Sequence, residues 1–140
     1  MIAACLIGCA TQYQPHGLMG GYSETRINQR AYEVTFQGNG YTSAIAVRRG
    51  ALHRAADIAQ QLGFFGFWIS NQDNHVASSI YTDPVDCQTI GTSTSCSGGN
   101  STSINKPTTT IVVNLVTSEE AQKPPPGIVV YDARMLLSQP

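Results

Sequence analysis

Apolar and polar side chains alternate in the first third of the chain and predict a β-hairpin. Tyr32, Val34 and Phe36 are apolar and polar residues separate them, which is the period of a half-buried strand. The stretch from Tyr22 to Ile27 is rich in residues that favour strands. With residues 28–30 as a turn between them, the two stretches predict a pair of antiparallel strands.

The next stretch, from Ala44 to Leu62, has the spacing of an amphipathic helix. Ser43 is a favourable N-cap, because its hydroxyl accepts a hydrogen bond from the first turn. Gly63 is a favourable stop, because glycine readily adopts the backbone angles found at a helix end. The apolar stripe that we expect to face the core consists of Ile45, Ala51, Leu52, Ala55, Ile58, Ala59 and Leu62.

Further strand patterns follow this helix. Residues 64–70 (FFGFWIS) predict a central strand, with Trp68 and the phenylalanines in the core, and residues 75–81 predict its extension or its partner. Residues 108–117 (TTTIVVNLVT) predict a strong strand. A short strand and one or two helical turns are expected within residues 128–138.

These elements predict the α+β class, with an antiparallel sheet of four to five strands and one long helix packed on one face. A single domain over residues 22–140 fits the length, which supplies one modest core. The formal net charge is −1 and only 12% of residues are charged. Because no run of Lys or Arg is present, the composition argues against a nucleic-acid partner.

The N-terminus carries a short apolar segment that ends in cysteine. Leu6-Ile7-Gly8-Cys9 resembles the lipobox of bacterial lipoproteins, in which the signal is cut before the cysteine and the cysteine receives lipid. The resemblance implies a signal segment at residues 1–8 and lipidation of Cys9. A secretory signal normally opens with positive charge, and none precedes Cys9, so we expect that region upstream of Met1. A cytosolic protein with an apolar N-terminus is the alternative.

A lipidated Cys9 would anchor the chain and not span the membrane, because the apolar segment is far shorter than the ~20 residues of a spanning helix. Two or more acyl chains hold a protein stably. Ala10 follows Cys9 where inner-membrane lipoproteins carry Asp, which implies the outer membrane and a periplasm-facing domain. Residues 9–21 predict a flexible tether with a reach of roughly 20 Å.

Cys87 and Cys96 lie in a stretch rich in Gly, Ser and Thr, and we expect a disulfide between them. Such bonds persist in the periplasm and are rare in the cytosol. Closing so small a loop would stabilise the fold by roughly 2.5–3 kcal/mol. Free thiols and a metal site are the alternatives, although a metal site would need closer spacing and histidine partners. Residues 83–107 predict a mobile loop.

Three segments together resemble a known family. They are Gly20-Gly21-Tyr22-Ser23-Glu24-Thr25-Arg26, the run Tyr32-x-Val34-x-Phe36-x-Gly38-Asn39-Gly40-Tyr41-Thr42-Ser43, and Ala51-Leu52-x-Arg54-Ala55-Ala56 with Gly63. The combination is similar to short envelope lipoproteins of Gram-negative bacteria whose function is unassigned. It implies an α+β lipoprotein facing the periplasm. Asp57 stands one residue beyond the usual acidic position of that family.

One polar set is a candidate binding site near the start of the helix: Tyr22, Glu24, Arg26, Asn39, Tyr41, Arg54 and Asp57. In a binding site, Arg54 would hold a carboxylate or phosphate with two hydrogen bonds. In the structural alternative, Arg54 binds Glu24 or strand carbonyls.

Two functions are therefore open. The first is a non-enzymatic structural or interaction module of the cell envelope, such as a subunit of an outer-membrane assembly, with envelope proteins as partners. The alternative is a periplasmic small-ligand-binding protein or enzyme that uses Glu24, Arg54 and Asp57.

Motifs for catalysis and metal binding are missing from the sequence. His16, His53 and His75 do not form an HExxH pattern, and no GxSxG motif is present. Ser43 fits a helix cap better than a nucleophile. We therefore predict no catalytic residue, no metal and no cofactor.

Overall fold

The computed structural model describes residues 10–139, so the expected signal segment and Cys9 lie outside the described residues. The elements of this range are, in chain order, β1 (Gly21–Arg26), β2 (Ala31–Gln37), α1 (Ala44–Gln61), β3 (Gly66–Thr82), β4 (Asp86–Ile90), β5 (Ser93–Ser97), β6 (Ser101–Val116), α2 (Ser118–Gln122), β7 (Val130–Asp132) and α3 (Ala133–Leu137).

Five strands form one antiparallel sheet in the order β1-β2-β6-β3-β7, and β4 and β5 form a separate two-stranded sheet. The predicted hairpin is present, with Tyr22 opposite Phe36 and Arg26 opposite Tyr32. The α+β class, the antiparallel sheet and one long helix are thus confirmed. The second sheet and the short helix α2 were not expected.

Helix α1 covers one face of the sheet and forms the core with it. The Ser43 side chain accepts a hydrogen bond from the Ala46 amide, as expected of the N-cap, and Gly63 has a positive φ of 79°. The helix approaches the sheet closely at Gly50, where an added Cβ would lie 2.5 Å from the Phe36 ring. The largest fully buried side chains belong to Val34, Val47, Phe67, Ile111, Val113 and Leu115.

The buried face of α1 differs from the predicted stripe at both ends. Ile45 is 69% exposed and Leu62 is 47% exposed, whereas Val47 is fully buried. Near the N-terminus of α1, Val47 and not Ile45 packs into the core. Its side chain lies so close to Gly38 that a Cβ added at Gly38 would meet it. The middle of the stripe, from Ala51 to Ala59, is buried as predicted.

The aromatic run after the helix divides between the two faces of the sheet. Phe67 is fully buried under α1, whereas Trp68 is only half-buried and Phe65 is 36% exposed. Trp68 follows Phe67 in the strand and therefore points to the opposite face of the sheet, which no long helix of the described residues covers. Phe65 lies just before β3, which begins at Gly66. The prediction that the whole run lies in the core is therefore wrong for these two residues.

Strands β3 and β6 continue well beyond the rest of the sheet as a two-stranded ribbon. We use "the ribbon" for Val76–Thr82 paired with Ser101–Pro107, and "the tip" for the β4–β5 hairpin that follows it. Cys87 and Cys96 are cross-strand partners in the tip and form a disulfide, with Cα atoms 4.0 Å apart. The disulfide is as predicted, but the expected loop over residues 83–107 is instead built of paired strands.

Residues 10–20, for which a free tether was expected, lie against the domain. The Thr11 amide donates to the Thr42 hydroxyl at 2.8 Å, and the Thr11 hydroxyl accepts from the Asn39 amide at 2.7 Å. Further along, the Tyr22 amide donates to the Gln14 carbonyl. Polar side chains and backbone groups of the segment thus find partners on the domain, which the lack of hydrophobic periodicity did not reveal.

Candidate functional site

Four of the seven predicted site residues meet where β1 packs against the side of α1. Arg54 donates from Nε to Glu24 at 3.1 Å and from Nη2 to the other Glu24 oxygen at 2.5 Å. The guanidinium group also lies over the Tyr22 ring, 4.3 Å from its centroid. Asp57, one turn further along α1, lies 4.0 Å from Arg54 Nη1. We call these residues, with Tyr13, the Arg54 cluster.

Tyr13 completes the Arg54 cluster from the N-terminal segment. Its hydroxyl donates to Asp57, and its ring lies 4.9 Å from the Tyr22 ring and 4.3 Å from the His53 ring between centroids. Sequence reasoning missed Tyr13 because it falls in a stretch without periodicity. The spacing of His53 and Asp57, four residues apart on a helix, was a readable signal.

The remaining predicted residues lie elsewhere, so the expectation of a single site near the start of the helix is wrong. Asn39 is buried with Thr11 and Thr42 before α1, and Tyr41 beside it is 76% exposed. Arg54 is separated from that end of the helix by roughly 16 Å, because a helix rises 1.5 Å per residue. Arg26 lies at the end of β1 over the Tyr32 ring.

The electrostatics of the Arg54 cluster favour the internal ion pair. The pKa of Arg54 is raised above its usual value, chiefly by the hydrogen bonds to Glu24. The pKa of Tyr13 is raised above its usual value near 10, first by burial and then by the hydrogen bond to Asp57. Arg54 therefore stays a cation and Tyr13 a neutral phenol at any physiological pH, and neither is poised for proton transfer.

A shallow groove of about 540 Å³ runs along α1, between the N-terminal segment and α3, and Phe36 of β2 is also in its lining. Arg48, Arg49 and His53 contribute to its lining, and Tyr13 borders it. Glu24 and Arg54 are not part of its wall. The groove and the ion pair are thus separate features, and the charged groups of the Arg54 cluster contact one another instead of facing a cavity.

In residues 10–139, no group of three or more His, Cys, Asp or Glu side chains is placed to hold a metal ion. None of the helices in that range combines the length and hydropathy needed to cross a membrane. The arrangement at Arg54 is suited to fixing β1 and the N-terminal segment onto α1.

Comparison with protein-family models, with curated proteins and with solved structures found no match to this chain. The resemblance of its motifs to envelope lipoproteins therefore remains a prediction from the sequence.

Proposed function

We propose that the protein is a membrane-anchored lipoprotein of the outer membrane, facing the periplasm, and that it acts as a non-enzymatic structural or interaction module of the cell envelope. The lipobox-like Leu6-Ile7-Gly8-Cys9 supports the anchor. The Cys87–Cys96 disulfide supports an oxidising compartment. A subunit of an outer-membrane assembly is the role that these features fit best.

The main support for an interaction role comes from the ribbon. It extends beyond the part of the sheet that α1 covers, and the side chains of Val76, Ile80 and Tyr81 are 58%, 75% and 56% exposed. A core would bury such side chains, and exposed apolar groups in one region favour contact with another surface.

The N-terminal segment sets the position of the domain relative to the proposed anchor. Thr11 is hydrogen-bonded to the domain and follows Cys9 by two residues, which span at most about 7 Å. The docked segment therefore leaves little free chain between lipid and domain. We expect the domain to lie directly against the membrane surface, with much less freedom than a dozen-residue tether would give.

The alternative, a small-ligand-binding protein or enzyme using Glu24, Arg54 and Asp57, requires these groups to exchange their internal partners for a ligand. The Glu24–Arg54 pair is partly buried, with side-chain exposures of 27% and 15%. Opening it would leave a carboxylate without its partner, which is costly. This cost is why we prefer the interaction module.

Intact mass and membrane fractionation of the protein, expressed from its own gene in a Gram-negative host, test the anchor. Wild type and Cys9→Ser are compared, with Cys5→Ser as the matched control. We expect a diacyl or triacyl mass on Cys9 and membrane association in wild type and in the control. Cys9→Ser should lose the lipid mass. An unlipidated wild type in the soluble fraction contradicts the proposal.

A further inference from the structure

Strand β3 has a long free edge. β7 pairs with β3 only at Gly66–Trp68. From Val76 to Thr82, β3 pairs with β6 on one side, and no strand of residues 10–139 pairs with it on the other. Seven residues of strand extend about 23 Å, so this edge presents a substantial row of backbone groups.

The direction of those backbone groups follows from Pro107. Pro107 has no N–H, and its carbonyl accepts from the Gly38 amide on the far side of β6. Its cross-strand partner Val76 therefore belongs to a non-hydrogen-bonded pair, and the N–H and C=O of Val76 point away from β6. The pairing has no register shift in the ribbon. The residues that point outward are thus Val76, Ser78, Ile80 and Thr82.

The two edges of the ribbon differ in their protection. The β6 edge carries Lys106 and Pro107, two residues that discourage further pairing, and the loop at Gly40 packs against Ile104 of that strand. The β3 edge has neither a Lys, Arg, Asp or Glu nor a proline anywhere from Asn74 to Thr82. Natural sheets normally protect exposed edges in one of these ways, so the bare edge favours pairing with another strand.

We propose that the free edge of β3 pairs antiparallel with the same edge of a second copy of this chain, around a two-fold axis at Ser79. This geometry makes Val76 face Thr82 and Ser78 face Ile80 across the interface. All four outward-pointing residues then pair among themselves. The four pairs exchange two backbone hydrogen bonds each and join the two ribbons into one four-stranded sheet.

Charge selects this axis over the neighbouring one at Ser78. A two-fold axis at Ser78 would set Asp73 directly opposite Asp83, and like charges across a strand pair are unfavourable. The axis at Ser79 instead sets His75 opposite Asp83, twice per dimer. Imidazole and carboxylate form a hydrogen-bonded pair.

Backbone chemistry argues against the axis at Ile80. That axis would place Val76, a residue of the ribbon, opposite Pro84, which has no N–H to donate to the outward carbonyl of Val76. The axis at Ser79 sets Pro84 opposite Asn74 instead, outside the ribbon. The axis at Ser79 also suits the side chains. Tyr81 faces Ala77, an aromatic residue opposite a small one, and the two Ile80 side chains become diagonal neighbours across the seam.

Cysteine crosslinking tests the proposed register. Ser79→Cys places two thiols opposite each other in a non-hydrogen-bonded pair, where Cα atoms lie about 4.5 Å apart, a separation that a disulfide tolerates. Ala77→Cys is the matched control, because the axis sets Ala77 opposite Tyr81. Both are made in the full chain with Cys9→Ser, oxidised mildly, and mapped by mass spectrometry. We expect Ser79→Cys to form a disulfide between two copies at position 79, and Ala77→Cys to form none at position 77.

Sedimentation of the same Cys9→Ser chain, without the added cysteines, tests the pairing itself. Ile80→Pro removes an outward N–H at the β3 edge, and Ser103→Pro removes the outward N–H of its cross-strand partner at the β6 edge. Neither change deletes a hydrogen bond between β3 and β6. We expect a concentration-dependent dimer that Ile80→Pro abolishes and Ser103→Pro retains, with circular dichroism to verify folding.

Two results would overturn the proposal. One is a Cys9→Ser chain that stays monomeric up to millimolar concentration and that Ser79→Cys does not crosslink. The other is a dimer that Ile80→Pro leaves intact, or that Ala77→Cys crosslinks, because its interface would lie elsewhere or in another register. The crosslinking experiment uses no proline variant, so its result remains valid even if Ile80→Pro fails to fold. Since Cys9→Ser removes the proposed anchor, neither result depends on lipidation.

Discussion

The two ends of strand β3 lie in contrasting surroundings. At Gly66–Trp68 the strand has neighbours on both sides and α1 above it, and the Phe67 side chain is fully buried. In the ribbon the same strand pairs only with β6 among the strands of residues 10–139, and Ile80 is 75% exposed. The first end belongs to the core. The second end is stabilised only by its backbone pairing with β6 and by the cross-strand contacts of small polar side chains.

This contrast shows that continuous strand pairing does not imply uniform stability. An isolated two-stranded ribbon is marginal in water, and regions with few buried apolar contacts open at low free energy. The covered sheet therefore supplies the stability of the domain. The ribbon and the tip present a surface instead, and the Cys87–Cys96 disulfide holds that surface in shape where no core is available.

The largest difference in the free energy of unfolding is expected between Phe67→Ala and Ile80→Ala. Phe67 is fully buried, so its loss should lower the free energy of unfolding by about 3–5 kcal/mol through lost burial and a cavity. Ile80→Ala should change it by less than about 0.5 kcal/mol, as is usual for surface positions. Urea denaturation at low protein concentration measures both. Equal losses would show that the ribbon belongs to the core.

The next largest difference in stability is expected between alanine substitutions at Gly50 and at Gly40. Gly50→Ala should destabilise the domain by about 1–3 kcal/mol, because the added Cβ meets the buried Phe36 ring, although alanine favours helices by about 1 kcal/mol. Gly40→Ala should cost less, since its Cβ meets only the end of the Ile104 side chain at the ribbon. Thermal unfolding compares the two. A stabilised Gly50→Ala variant would contradict the close approach of α1 to β2.

The Glu24–Arg54 pair should contribute a coupling energy of about 1 kcal/mol, more than a typical exposed ion pair because it is partly buried and doubly hydrogen-bonded. A double-mutant cycle with Glu24→Gln and Arg54→Met measures this coupling. Salt should reduce the coupling only slightly, because partly buried pairs are weakly screened. The more exposed Arg30–Glu120 pair is the matched control and should show a smaller coupling. Zero coupling at Arg54 would favour a ligand-binding role for the pair.

Tyr13 should make stability depend on alkaline pH. Its pKa in the folded state is raised above the usual value near 10, so its contribution is fully present below pH 10. As the pH rises above 10, the unfolded chain releases the Tyr13 proton while the folded protein keeps it, and the contribution is lost. The stability difference between wild type and Tyr13→Phe should therefore stay constant up to about pH 9 and shrink progressively as the pH rises above 10. A constant difference would show that the N-terminal segment is not docked through Tyr13.

Removal of the disulfide should have the smallest effect on the core. In Cys87→Ser with Cys96→Ser, we expect the unfolding midpoint of the covered sheet to stay unchanged, although chain entropy alone would assign such a loop about 2.5–3 kcal/mol. The tip lies outside the cooperative core, so the loss should appear there as faster hydrogen exchange. A large drop in the midpoint would show that ribbon and core unfold together.

The elements with strong periodicity could be predicted, and the uncovered ones only in part: residues 75–81 do extend the predicted strand, whereas the strands within residues 83–107 were expected to be a loop. Ser43 and Gly63 fixed the ends of α1 to within two residues, but its rotation depends on the neighbouring sheet, which buries Val47 and leaves Ile45 exposed. The ribbon lacks alternation because neither of its faces is buried. Helix α2 did leave a readable signal, the capping box of Thr117 and Glu120.

The candidate site was predictable only in part for similar reasons. The contact between Glu24 and Arg54 follows from a strand and a helix packed side by side, and it was one of the two roles predicted for Arg54. Tyr13 reaches Asp57 through a segment without periodicity, so no pattern indicated it. Asn39 was grouped with Arg54 because both lie in one motif, yet the length of the helix separates them.

Residue-by-residue hydrogen exchange along β3, at low and at high protein concentration, tests most directly whether its two ends have these different roles. We expect the amide of Phe67 to be strongly protected at both concentrations, and the outward amides of Ser78 and Ile80 to be protected only at high concentration. The amide of Ser79, bonded to β6, should show intermediate protection at both. Outward amides that exchange equally fast at both concentrations, or a strand protected uniformly from end to end, would contradict this account.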